Sequence, residues 1–119
     1  MAEILRREEM NKRQLAMARN DSMRLLDPMQ RRPRDCVRLN ASNTLEHEYA
    51  KFKVCWGLLQ EGKEFVTEAV FRNGKRADIF VLDTGDVFEI LHSETKEMAK
   101  KKCADFPVKR VIFIDSKEV

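Results

Sequence analysis

Cysteine is scarce and scattered. Cys36, Cys55 and Cys103 form an odd set, and no two stand at C-x-x-C spacing. That suggests neither a zinc site nor a disulfide framework, so reduced thiols in a cytoplasmic protein are the expectation. Long hydrophobic runs are absent too. No stretch approaches the ~20 apolar residues that a membrane-spanning helix requires. The opening MAEILRREEMNKRQ is polar and lacks the apolar stretch of a secretory signal. Neither sign of charge dominates: 23 Lys/Arg oppose 20 Asp/Glu, a net +3. The excess is uneven, since residues 1–43 carry +4 and the rest carry −1. A basic N-terminal arm is compatible with a polyanion partner, and equally with a solvated helix.

What is present fits one small domain. A chain of 119 residues, 43% hydrophobic and 36% charged, can bury one modest core. Its centre is the stretch Thr67–Glu94, where three short β-like runs are separated by turn chemistry. Asn73-Gly74 divides the first run from the second, and Asp83-Thr84-Gly85-Asp86 the second from the third. Turns this short favour antiparallel hairpins, with glycine supplying the positive φ. The expected strands are 64–71, 76–82 and 87–92.

The flanking segments read as helices. Residues 3–26 contain no Gly or Pro and favour a helix, although Ile4, Leu5, Leu15, Ala18, Leu25 and Leu26 give only an intermittent apolar face. Pro28 and Pro33 end it, and Arg31, Arg32, Arg34 and Arg38 cluster around them, either as a solvated linker or as a phosphate-touching loop. A second helix starts among Ser42-Asn43-Thr44 and ends at Gly62. Leu45, Tyr49, Phe52, Trp56 and Leu59 are its expected core stripe, with Glu48 on the edge and Lys51 and Cys55 on the same flank. The run KEMAKKKCADF predicts a third helix with Met98 and Cys103 or Ala104 inward, and Glu94 as its N-cap. VKRVIFID then forms a last strand, parallel to the third because a helical crossover separates them. The domains are thus 1–42, a helical arm with a basic linker, and 43–119, an α/β domain.

By alternation, Asp78 shares a sheet face with Phe80 and Leu82, and Glu89 with Leu91 and Ser93. A carboxylate inside VFEIL is costly unless a cation, a basic side chain or water offsets it.

This order, with Asp78 on one strand and Glu89 in the next, resembles the PD-(D/E)xK nuclease superfamily, which includes type II restriction enzymes and archaeal Holliday-junction resolvases. The likeness covers about residues 43–115. Its pieces are Glu48 (or Glu46) on the helix, the Glu68 strand, Arg76-Ala77-Asp78, and Glu89-Ile90-Leu91. The resemblance implies a restriction endonuclease-like αβββαβ core, with a mixed four-stranded sheet flanked by helices. It implies Mg²⁺ or Mn²⁺ held by Asp78, Glu89 and the backbone carbonyl of Ile90, with Glu48 assisting, for phosphodiester hydrolysis in DNA. One position departs: the family's lysine falls at Leu91, which can neither orient water nor neutralise phosphate charge. Lys51, Lys75 and Arg76 are the candidate replacements, and Arg31, Arg32, Arg34 and Arg76 the expected nucleic-acid contacts. The expectation is therefore a metal-dependent nuclease-like protein that binds DNA, with a homodimer open to it and no membrane association. The alternative is a catalytically inactive module of the same fold, serving nucleic-acid binding or protein interaction. His47 and His92 are expected at the helix surface and on the face opposite Glu89.

Overall fold

The computed structural model describes residues 11–119. Residues 3–10 of the expected first helix therefore lie outside the described residues. Helix α1 spans Lys12–Met23, and α2 spans Leu45–Gln60. Strands β1 (Phe65–Val70), β2 (Arg76–Val81) and β3 (Val87–Leu91) follow. Helix α3 (Lys96–Lys102) and strand β4 (Val111–Asp115) complete the sheet, and a 3₁₀ turn (Ser116–Glu118) ends the chain. The four strands lie in sequence order. β1–β2 and β2–β3 are antiparallel, and β3–β4 is parallel. The architecture is thus α/β, an open mixed sheet with helices packed against it.

Local chemistry places these elements. Gly74 (φ 84°) and Gly85 (φ 74°) occupy the two hairpin turns, in the left-handed region that glycine reaches without penalty. Thr44 caps α2 by accepting the His47 N–H at 3.1 Å, and Thr95 caps α3 by accepting the Met98 N–H at 3.2 Å. Thr95, not Glu94, is the cap, because its short hydroxyl reaches the third amide of the turn.

Two apolar clusters sandwich the sheet. One gathers Val66, Ala69, Phe71, Ala77, Phe80, Leu82 and Val87 with Leu26, Cys103 and Phe106. The other joins Phe65, Ile79 and Val81 to Cys55 and Leu58 of α2. The basic segment is drawn in as well. Leu26 bridges to Phe71, Asp27 N–H donates to the Val70 carbonyl at 2.8 Å, and the buried Ser22 hydroxyl donates to the Leu82 carbonyl at 2.7 Å. Arg19 donates to both Asp83 oxygens at 2.9 and 3.2 Å and reaches Gly62 O at 3.2 Å. The described part of the arm thus packs on the domain.

Helix α2 reverses the expected orientation. Leu45, Tyr49, Phe52, Trp56 and Leu59 are 80, 56, 50, 56 and 42% exposed. The buried face carries His47, Glu48, Ala50, Lys51, Cys55 and Leu58 instead. The polar half goes inward because the segment before the helix folds over it and supplies hydrogen-bond partners: Arg38 O, Asn40 N–H and the Asn43 amide. In α3 the inward positions are Ala99 and Cys103. Met98 and Ala104 face solvent.

Alternation also breaks once in the sheet. Glu68 has φ 50°, and the β1–β2 pairing skips it and its opposite, Asp78. Thr67 and Glu68 consequently both reach the segment 36–40, through Arg38 N–H at 2.8 Å and the Asn40 amide at 2.7 Å. Across the gap, Phe80 and Leu82 sit in the first cluster, and Asp78 meets Glu89, which in turn touches Cys103 of that cluster, while its Oδ2 also reaches His47 of α2.

Candidate functional site

The β2–β3 ladder is short, confined to Ile79↔Phe88 and Phe80↔Val87. Beyond it the Asp78 carboxylate takes over, accepting the Ile90 N–H on Oδ2 at 2.8 Å. The strands part there, and a pocket of about 390 Å³ opens between α2, the sheet end and α3. Asp78 and Glu89 both line it, with His47 on the α2 side, Cys103 on the α3 side, and Arg76 and Lys102 among its cations.

The two carboxyl groups bond to each other side chain to side chain. Burial and the neighbouring Asp78 charge push Glu89 up to about 10, so it holds a proton at neutral pH. Burial opposes the ionised form of Asp78 as well. Hydrogen bonds from His47, Glu89 and Ile90 N–H outweigh it and bring Asp78 down to about 2. Cys103 Sγ lies 3.8 Å from Glu89 Oε1, and burial with that neighbour raises the thiol to about 12, leaving it protonated.

His47 joins this pair to a second group. Its Nε2 is 3.2 Å from Asp78 Oδ2, and its Nδ1 is 2.9 Å from Glu48 Oε1. Burial disfavours the charged ring, but the two carboxylates outweigh burial and raise its pKa above 6.5. Glu48 also meets Lys51 Nζ at 2.8 Å, Asn40 N–H at 2.9 Å and the Asn43 amide at 2.9 Å. Burial opposes its charge too, and these donors hold its pKa below the usual value.

The expected residues are therefore only partly brought together. Asp78 and Glu89 meet, and Glu48 stands one imidazole away. Ile90 contributes its N–H to Asp78. Lys51 is fully buried, held by Arg38 O at 2.7 Å, by Glu48, and by Glu68 at 3.8 Å, and does not line the pocket. Lys75 turns toward Asp105 at 3.9 Å and also stays outside. Arg76 lines it. His92 meets Ser116 Oγ at 2.9 Å and also lines the pocket. Sequence reasoning passes over His47, Lys102 and the two asparagines. The available signal was the i, i+4 pair His47 and Lys51 beside Glu48, which marks one helix face.

Arg31, Arg32 and Arg34 belong to a neighbouring groove of about 480 Å³, lined also by Arg24 and Arg72. Its link to the carboxyl pocket is short. Arg32 donates to the Glu68 carbonyl at 3.2 Å, and Val70 of the groove pairs in the sheet with Arg76 of the pocket.

Among the described residues, no group of three or more His, Cys, Asp or Glu stands ready to hold a metal ion. What is there are two adjoining carboxyls, and a divalent cation held by them would have to take the place of the Glu89 proton. No family model, curated protein or solved structure matches the chain.

Proposed function

We propose that this chain is a nuclease-like protein that binds DNA and, when active, hydrolyses phosphodiester bonds with a divalent cation at Asp78 and Glu89. The observation that carries the reading is the meeting of these two carboxyls in an open pocket rimmed by Arg76 and Lys102, with an arginine-lined groove beside it. An anionic backbone on Arg31, Arg32 and Arg34 is led toward Arg76, where a phosphate meets the carboxyl pair. Bound there, Mg²⁺ supplies Lewis-acid polarisation of the phosphate and a more acidic water. The chain's own residues do the rest: Ile90 N–H and His47 orient Asp78, and Arg76 and Lys102 offset phosphate charge.

Mg²⁺ or Mn²⁺ at a hundredfold excess over its Kd should stabilise the protein by about 2.7 kcal/mol. Asp78→Ala should abolish that rise in Tm together with cleavage of plasmid and branched DNA. A melting curve indifferent to both ions would overturn the site. In DNA binding, removing Arg31, Arg32 and Arg34 should reduce the slope of log K against log salt by about 2–3. An unchanged slope would take the groove out of the interface.

A second reading, an inactive module of this fold that binds nucleic acid, is favoured by one observation. Leu91 stands where the resemblance calls for lysine, and Lys51 is locked away from the pocket. DNA binding with metal uptake but no cleavage would decide for it.

A further inference from the structure

Helix α2 carries its apolar residues on the outside. Leu45, Tyr49, Phe52, Trp56 and Leu59 are spaced 4, 3, 4 and 3 residues apart, the seam spacing by which one helix packs along another. No charged residue interrupts this stripe. Lys53 lies at its border with Nζ 4.9 Å from the Tyr49 ring centre. Soluble monomers rarely leave so large a continuous patch open.

We infer that this face binds the same face of a second copy of the chain, in an antiparallel helix pair about Phe52. The stripe is nearly symmetric about that residue, with Leu45 and Leu59 seven positions away on either side and Tyr49 and Trp56 three and four away. Reversing one copy sets Leu45 against the partner's Leu59, Tyr49 against the partner's Trp56, and Phe52 against the partner's Phe52. Such self-matching is what a two-fold interface demands. The area suffices as well. Three aromatic rings, each worth on the order of 150–250 Å² and about half exposed here, with two leucines, offer roughly 500–600 Å² per copy. The pair removes about 1,000–1,200 Å² from water, at the lower edge of specific interfaces. The inference does not depend on the nuclease-like reading, because the buried face of α2 that holds His47 and Glu48 is left untouched.

The test is analytical ultracentrifugation of the full chain over about one to a few hundred micromolar, with emission from Trp56, the sole tryptophan. The expected result is a dimer mass that appears with concentration, accompanied by a blue shift of that emission. Phe52→Glu brings two like charges together on the axis and should weaken association by about a hundredfold or more. Phe52 is half-exposed and outside both core clusters, so circular dichroism and Tm at low concentration should stay as they are. Tyr49→Lys is the second variant and should act in the same direction. A monomer throughout the range would overturn the inference, as would a dimer indifferent to both variants. So would a monomer whose Trp56 is already blue-shifted, since another segment, such as residues 1–10, or another protein would then be the occupant.

Discussion

Lys51→Ala is expected to lower folding stability by about 3–5 kcal/mol, seen as a lower urea midpoint at an unchanged m-value. The ammonium is fully buried and pairs with two acidic side chains at once, Glu48 at 2.8 Å and Glu68 at 3.8 Å, while Arg38 O accepts a hydrogen bond from it at 2.7 Å. Truncation leaves two largely buried carboxylates facing each other without a cation. That penalty far exceeds the value of an exposed ion pair, about 0–1 kcal/mol. Glu48→Gln in the same chain removes one of the stranded charges and should restore part of the loss. A Lys51→Ala protein within about 1 kcal/mol of the parent would mean that the two carboxylates find other partners. Since Lys51 does not line the pocket, cleavage lost in this variant would report on scaffold and not on chemistry.

The second large effect is a dependence on pH set by Glu89. Its folded pKa, about 10, lies far above the ordinary 4.5. A raised pKa contributes stability that is complete below the unfolded value and is lost as pH climbs toward the folded value. Between those limits the unfolded chain releases a proton that the folded one keeps, so stability falls by up to about 1.4 kcal/mol per pH unit. Asp78 works in the other direction: its pKa drops from 3.8 to about 2, so its contribution is present above 3.8 and vanishes on acidification. Glu89→Gln keeps a neutral hydrogen-bonding group and removes the proton. In metal-free buffer its stability should fall much less than the parent's from about pH 5 to 9, keeping only the smaller decline set by the raised pKa of His47, and should exceed the parent's at the alkaline end. Superimposable pH profiles for the two proteins would contradict a protonated Glu89.

Much of the architecture was readable because its signals are local. Asn73-Gly74 and Asp83–Asp86 specify turns through backbone conformations that glycine tolerates, and the pairing of β1–β3 follows from turns that short. The crossover through α3 likewise dictated a parallel β4. The carboxyl pair was readable too, since an acid inside VFEIL demands an explanation wherever it points. The orientation of α2 was not. Its apolar stripe is the better helical pattern, and only the preceding segment 38–43, folded back over the helix and furnishing a carbonyl and amides, makes the His47–Glu48–Lys51 side the one that goes inward. The broken alternation at Glu68 escaped for a similar reason. Left-handed backbone usually announces itself as glycine or asparagine, and here a glutamate takes it, fixed by Asn40.

Because the Asp78 carboxylate caps an amide that the neighbouring strand would otherwise leave bare, the acid and the hem of the sheet are one object. An alanine there unpicks the stitching along with the charge. Asparagine keeps an oxygen for Ile90 while discarding the anion, and so parts what the fold has joined.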